Sequence, residues 1–468
     1  MSQVFLIGTG PLPSHRPTEM GFPHLRARQF LLPMLDAGHD VTVALFVRRD
    51  ARAELPEPGR IVDASVETAR GPRRYRQVVV RPDEPGRFLL LRDLRRQVAP
   101  DVIVSAGPFL PMAAGARAAG DEPLWVDVPG DPMSEAQAKA LRSGSSEPIL
   151  RYREMLAWAL ARGDRFSVIS DAQRGPLIGA LGLAGRLTAD ALGDELVSVQ
   201  RGSVEGLGSA SGGTLPEPVA DLPASAFVVL FCGGYNTWLD GETLLAGLLR
   251  AMDRDPAIHF VSTGGGLRGH DEGSYLRFRS AALASPHARR FHFCGWVPGD
   301  ALAPLHARAQ VSVFCDLPCY EAEFGARTRI LESLERGVPV AATDSCDLTH
   351  ELAGTEGFHP LVAGDPESVA SVLVELSAAR RAGTAVARQS RGGWETLRER
   401  YSLEATTAPL LAWLKHPERA PGGAPVDFLE DYQAELATLQ ERLEEVWNSA
   451  TWRYLGRVHK LLGRFRSR

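Results

Sequence analysis

Two α/β domains, each built on a parallel sheet, followed by a short helical tail, is the fold class this sequence predicts. Three observations predict it. Short apolar runs of strand length alternate with segments of helical period, the pattern of repeated strand–helix–strand units. These runs fall into two series, one starting at Val4 and one at Phe227, and the first run of each series leads straight into glycines. Between the series, Leu207 to Pro223 is rich in Gly, Ser and Pro, the composition of a linker. The expected boundaries are an N-terminal domain over 1–208, a linker over 209–223, a C-terminal domain over 224–416, a second linker over 417–426 and a tail over 427–468.

Composition narrows the function. A chain of 468 residues with 44% apolar residues can fill two cores, and a net charge of −5 argues against a general nucleic-acid binder. The five cysteines are odd in number and sit mostly in apolar runs, as expected of reduced thiols in the cytoplasm. Cys315 and Cys319 lack a second pair at zinc spacing, so no metal site is expected. The first residues lack the pattern of a secretory signal, and no apolar run approaches the length of a membrane span.

In the first series, Val4–Ile7 reads as a buried strand ending in Gly8-Thr9-Gly10-Pro11. A helix over about Leu25–Ala37, closed by Gly38, and a strand over Val41–Val47 complete a Rossmann-like opening. A dinucleotide fingerprint fails here, because Pro13 stands where the third glycine belongs. Further strands are expected at Asp101–Ser105, Leu124–Asp127 and Phe166–Ser170. Loops at the C-terminal ends of strands are where such sheets hold ligands. Asp127 and Asp131 are therefore the candidate acceptor-side carboxylates, as a hydroxyl binder or base. A turn for Asp127, and a helix N-cap for Asp131 ahead of Pro132, are the structural alternatives.

In the second series, Phe227–Cys232 is a strand leading into Gly233-Gly234-Tyr235-Asn236-Thr237-Trp238-Leu239-Asp240, then a helix. Paired glycines between strand and helix suit close approach of backbone to phosphate. Strands follow at Ile258–Ser262, Phe291–Val297 and Val311–Cys315. Asp253-Arg254-Asp255 has the spacing of a metal-binding acidic motif, but it ends a helix before Pro256 and reads as a solvated terminus.

The richest stretch is Cys319 to Asp344. A loop carrying Glu321 and Glu323 leads to Gly325, which is expected to open a helix ended by Gly337, and Val338–Ala342 is the next strand. Unpaired amides at the helix start, with Arg327 and Arg329, could bind a diphosphate, and Glu332 could take both hydroxyls of a ribose. Arginine is also the default base of this chain, with three lysines against 49 arginines, so a solvated crossover helix is the alternative. Thr343 and Asp344, at the next strand end, are further candidates to line the site.

Leu331-Glu332-Ser333-Leu334-Glu335-Arg336-Gly337-Val338-Pro339-Val340 resembles the C-terminal half of retaining GT-B glycosyltransferases of the large family 4 group. Those carry a Glu, seven residues and a second Glu, then an apolar pair and Gly, small, Pro, Val. Here Glu332 takes the second position. Eight residues separate Glu323 from Glu332 and ten separate Glu321 from it, so the first half departs from the pattern. The variant E-x-x-F-x-A-R-T-R looks like a bacterial subgroup of polysaccharide and lipid-linked sugar transferases, in which Glu321, with Glu323 as rival, matches the loop carboxylate. The donor loop Gly233-Gly234-x-x-x-Trp238-x-Asp240, which also holds the candidate Asn236, and the opening Thr9-Gly10-Pro11-Leu12 resemble that subgroup too; His15, a further acceptor-side candidate, lies in the flap after that opening. The resemblance implies a GT-B fold, two Rossmann-like domains facing across a cleft. It also implies a nucleotide-diphosphate sugar as donor, retention, no metal and no further cofactor, and a glycan or lipid-linked acceptor at the N-terminal domain. Many family 4 enzymes place an Arg and a Lys in the donor loop. This loop has neither, which puts more weight on Arg327 and Arg329.

In the tail, Leu429, Tyr432, Leu436, Leu439, Leu443 and Val446 recur at three and four residues, a short coiled-coil seam suited to oligomer contacts. From Trp452 to Arg468 the helix is basic with an apolar side, which reads as contact with an anionic membrane surface on the cytoplasmic face. Packing on the enzyme body or on a partner chain is the alternative. Two other functions compete: an inverting transferase or epimerase, with Asp127 or His15 as base, and a non-catalytic scaffold of a membrane glycan assembly.

Overall fold

The computed structural model describes residues 1–17, 19–51, 53, 55–205, 213–383, 394–395, 397–421, 442–443, 445–446 and 449. The expectations for 429–446 and 452–468 lie outside the described residues, apart from the few just given.

Two parallel sheets carry the fold. The first contains β1 (Gln3–Thr9), β2 (Asp40–Phe46), β3 (Val62–Thr68), β4 (Gly71–Val80), β5 (Val102–Ala106), β6 (Leu124–Val128), β7 (Arg165–Val168) and β8 (Val197–Val199). Their order is β3-β4-β2-β1-β5-β6-β7-β8, and only the β3–β4 hairpin is antiparallel. The second contains β9 (Phe227–Cys232), β10 (Ile258–Thr263), β11 (Phe291–Gly295), β12 (Val311–Phe314), β13 (Val340–Thr343) and β14 (Phe358–Leu361). Their order is β11-β10-β9-β12-β13-β14, parallel throughout. The central strands β1, β5, β6 and β9 read as continuous apolar runs because helices cover both faces of each sheet. This is the mixed α/β, two-domain Rossmann-like arrangement of a GT-B fold.

The chain crosses back before the tail. The helix Leu403–Trp413 packs on the helix Phe22–Asp36 of the first sheet, with Leu410 and Leu414 in the same core as Leu31 and Leu35. Trp413 meets Trp125 of β6 with ring centroids 5.4 Å apart, and Gln29 donates from Nε2 to Thr406 Oγ1 at 2.8 Å.

One buried ion pair fixes the first sheet to its helices, and it corrects the expectation for Asp127. Arg26 points from the helix Phe22–Asp36 into the end of β6 and grips Asp127 with two bonds, Nε to Oδ2 at 2.9 Å and Nη2 to Oδ1 at 2.7 Å. Both side chains are fully buried. Ser167 Oγ donates to Oδ1 at 2.7 Å and the Gly107 amide to Oδ2 at 3.1 Å. Every oxygen of Asp127 is thus occupied within the core, so it is neither a hydroxyl binder nor a base. Asp127→Ala, which strands the Arg26 charge, is expected to lower the stability of this half by about 3–5 kcal/mol in urea unfolding.

Candidate functional site

The site lies where loops from the C-terminal ends of both sheets meet. From the second sheet come the segment after β9, the segment after β12 and the loop Leu267–Asp271 beyond β10. From the first comes the turn after β6 and its helix Pro132–Ser143. Hydrogen bonds cross between them: Arg142 donates to the carbonyls of Thr237 at 3.1 Å and Leu239 at 3.0 Å, and Ser170 Oγ donates to Phe324 O at 2.5 Å.

The stretch after β12 departs from the expected single helix. A short helix, Tyr320–Phe324, ends at Gly325, and a second, Thr328–Glu335, starts three residues later. Gly325 therefore ends a helix rather than opening one. It is also where Arg327 passes closest: a Cβ on Gly325 would sit 2.4 Å from Arg327 Nη1 and 2.7 Å from Glu321 O.

Arg327 turns inward. Its Nε binds Asp316 Oδ2, its Nη2 donates to Glu321 O at 3.0 Å, and its Nη1 lies 3.8 Å from Glu321 Oε1. Its guanidinium lies 5.5 Å from the ring centroid of Trp238. Burial alone would lower its pKa, but Asp316 and Glu321 outweigh that and raise it. Asp316 is in turn held by Thr343, whose Oγ1 accepts from the Asp316 amide at 2.7 Å. Arg327 and Thr343 are thus committed to the protein, which corrects their assignment as direct ligand contacts.

Arg329 differs. It donates from Nη2 to Gly234 O at 3.2 Å and rests against Phe231 and Phe314, 5.4 and 5.6 Å from their ring centroids. Among the described residues no carboxylate lies within ion-pair distance of it, and burial lowers its pKa. Gly233, at φ +119°, bends the loop past it, and the guanidinium carbon is 3.6 Å from where a Gly233 Cβ would be. Asn236 and Trp238 line the same small cleft with Asp316, Arg327 and Arg329. Glu332, one turn beyond Arg329, is half-buried and pairs with Arg336 at 3.2 Å. A partly desolvated guanidinium beside a glycine-shaped loop can bind an anion.

Of the rival loop carboxylates, Glu323 is exposed and Glu321 is buried in the junction. Ser134 Oγ donates to Glu321 Oε2 at 3.3 Å. Burial pushes the Glu321 carboxyl up to about 7, against the pull of Arg327. Asp131 caps the helix Pro132–Ser143, accepting from the Ser134 amide at 2.7 Å, the structural alternative foreseen for it. Gly10 packs on β2, where a Cβ would sit 2.9 Å from Leu45 Cβ. His15 takes the Leu12 amide on Nδ1 at 3.0 Å and meets Gln77 Oε1 with Nε2 at 3.0 Å, and burial lowers its pKa. Both ring nitrogens are engaged, so His15 is not a free base and Gly10 is a packing residue.

Sequence reasoning missed Glu135. It is buried on the helix Pro132–Ser143, with Oε1 3.3 Å from His270 Nε2. The only local signal was Lys139 four residues on, which looks like an ordinary surface pair. Among the described residues no group of three or more His, Cys, Asp or Glu could hold a metal ion. No described helix is long and apolar enough to cross a membrane.

The two arginines should separate experimentally. Arg327→Ala leaves Asp316 unpaired and is expected to cost about 3–5 kcal/mol in urea unfolding. Arg329→Ala removes one hydrogen bond and no ion pair, and should cost about 1 kcal/mol or less.

Residues 226–379 match a family described as glycosyl transferases group 1. No curated protein matches the chain in sequence. Among solved structures, Anabaena HepE in complex with UDP and glucose superposes with a TM-score of 0.62 at 14% identity, over 89% of this chain and 100% of its own. Sucrose-phosphate synthase from Thermosynechococcus elongatus gives 0.61 at 16% identity, over 88% and 98%. The trehalose-6-phosphate protein from Escherichia coli bound with UDP-2-fluoro glucose gives 0.60 at 10% identity, over 89% and 99%. The matched segment covers the second sheet, the half that holds Arg329 and Glu332. The two-sheet architecture is that of a GT-B fold, and its second half carries a glycosyl transferases group 1 domain.

Proposed function

We propose that this enzyme moves a sugar from a nucleoside diphosphate sugar to a hydroxyl of a glycan or lipid-linked acceptor, with retention of configuration and without a metal ion. The observation that carries the reading is Arg329. It is a cation without a carboxylate partner among the described residues, at the mouth of the Gly233-Gly234 loop. A diphosphate would supply the missing anion, and Glu332, one turn along the same helix and paired with Arg336, would take the ribose hydroxyls. A UDP-sugar is the first donor to try, because HepE was solved with UDP and glucose.

In the proposed reaction the bond from the anomeric carbon to the β-phosphate oxygen breaks and its electron pair stays on the diphosphate. Arg329 offsets that growing charge. The acceptor oxygen bonds to the anomeric carbon on the same face, and its proton passes to the leaving phosphate oxygen. Glu321, buried at the junction beside Arg327, is the carboxylate proposed to line the sugar's side of the site. Retention is supported by the fate of the two bases an inverting path would use: Asp127 is bound to Arg26 and His15 to Gln77. Residues 452–468 are proposed to hold the enzyme at the cytoplasmic face of an anionic membrane, and 429–446 to join copies or partners.

Thermal unfolding of the full chain with UDP at about 100 times its dissociation constant should show a gain of about 2.7 kcal/mol. That gain should vanish in Arg329→Ala and Glu332→Ala. A chain that no nucleoside diphosphate stabilises would refute the donor reading.

A further inference from the structure

A second cavity lies where the chain passes between the two sheets, and it shares no residue with the cleft at Arg329. About 220 Å³ is open there, lined among the described residues by Glu205, Glu335, Trp394, Arg398, Tyr401 and Ser402. The walls come from three places. Glu205 stands where the chain leaves the first sheet. Trp394, Arg398, Tyr401 and Ser402 precede the returning helix Leu403–Trp413. Glu335 ends the helix Thr328–Glu335, whose first turn carries Arg329. The two crossings are tied together: Glu205 Oε2 accepts from the Leu403 amide at 2.6 Å, and Glu205 O accepts from Arg28 Nη1 at 3.0 Å. The space is far larger than one water needs and holds a single small molecule.

Three groups of its wall are unused by the protein. Among the described residues no hydrogen bond or ion pair holds the Glu335 carboxylate, and its Oε2 is buried without a partner. The Arg398 guanidinium and the Trp394 Nε1–H have no hydrogen-bond partner there either. Tyr401 belongs to the second sheet's core, and Trp394 packs against that core.

The charges balance. Glu205 and Glu335 are negative, while Arg398 in the wall and Arg28, near enough to act on both carboxylates, are positive. Glu332 and Arg336 beside them pair with each other. Such a cavity has no net field with which to select a cation or an anion. A carboxylate only accepts and a guanidinium only donates, so together they suit a neutral molecule that does both. Two aromatic rings suit an apolar side on the same molecule. A sugar has both properties. Burial raises the Glu335 carboxyl to about 7, and a hydroxyl donating to it would offset that cost.

We propose that this cavity is a second sugar-binding site, outside the catalytic cleft: one sugar unit lies against Trp394 and Tyr401, donates to Glu335 and accepts from Arg398. The proposal goes beyond the transferase reading and needs no nucleotide.

Saturation-transfer NMR on the full chain tests it, with glucose, galactose, mannose and N-acetylglucosamine as probes and spermidine and inorganic phosphate as charged competitors. At least one sugar should bind wild type, and neither competitor should displace it. Trp394→Ala and Glu335→Leu should each weaken that sugar about tenfold or more, and Glu335→Gln, which still accepts from a hydroxyl, about threefold or less. Arg329→Ala should bind it like wild type. Thermal unfolding of each variant keeps loss of fold apart from loss of binding, and the two Glu335 variants carry the test if Trp394→Ala does not fold. Binding of none of the four sugars, sugar binding that folded Trp394→Ala or Glu335→Leu leaves unchanged, or displacement by spermidine or phosphate would each overturn the proposal. UDP stabilisation measured on the same samples reports separately on the donor reading: if it is absent while the sugar pattern holds, only the donor reading is lost.

Discussion

Arg327 carries a full charge into the junction between two sheets, and much of the surrounding structure serves to neutralise it. Asp316 and Glu321 take the charge, Thr343 anchors Asp316, and Gly325 supplies the space through which the side chain turns inward. A buried guanidinium stripped of one partner is costly, so these residues act as one unit. Their arrangement sets the site. With Asp316 and Glu321 committed to Arg327, Arg329 two residues on is left with a carbonyl and two aromatic rings for company. The cleft is thus polarised: its inner arginine is satisfied by the protein, and its outer one is open to an anion.

The same physics holds the first sheet, where Arg26 and Asp127 form the equivalent closed pair. Elsewhere arginines staple backbone carbonyls. Arg142 binds two from the other sheet's loop, Arg26 reaches Arg201 O at 3.0 Å, and Arg186 reaches Leu160 O at 2.7 Å. Five donors in a planar fork make this use natural. In a chain with 49 arginines and three lysines, an arginine marks an anion site only when its partners are known.

That explains what was legible in the sequence. Strands buried on both faces announce themselves as apolar runs, and β1, β2, β5, β6, β7, β9, β10, β11, β12 and β13 were all visible that way. The β3–β4 hairpin was not, because its exposed face dilutes the apolar signal with Arg73, Arg74 and Arg76. The donor loop showed in its paired glycines. The partners of charged residues did not show. Asp127 pairs with a residue 101 positions earlier, and Glu135 meets His270 from the other sheet, so no local pattern could reveal either. Gly325 looked like a helix start because the residues after it are helical. The break between Gly325 and Thr328 exists so that Arg327 can reach Asp316, a tertiary demand that local propensity does not contain.

The central claim is that Arg329, and not Arg327, meets the donor's diphosphate. Calorimetric titration with UDP and with UMP, in wild type and in Arg329→Lys and Arg329→Ala, tests it most directly. The account predicts that wild type prefers UDP over UMP by about tenfold or more, the worth of one charge-assisted contact to the second phosphate. It predicts that Arg329→Lys keeps part of this preference and that Arg329→Ala loses it. An undiminished preference for UDP in Arg329→Ala would contradict the account and place the diphosphate elsewhere in the junction.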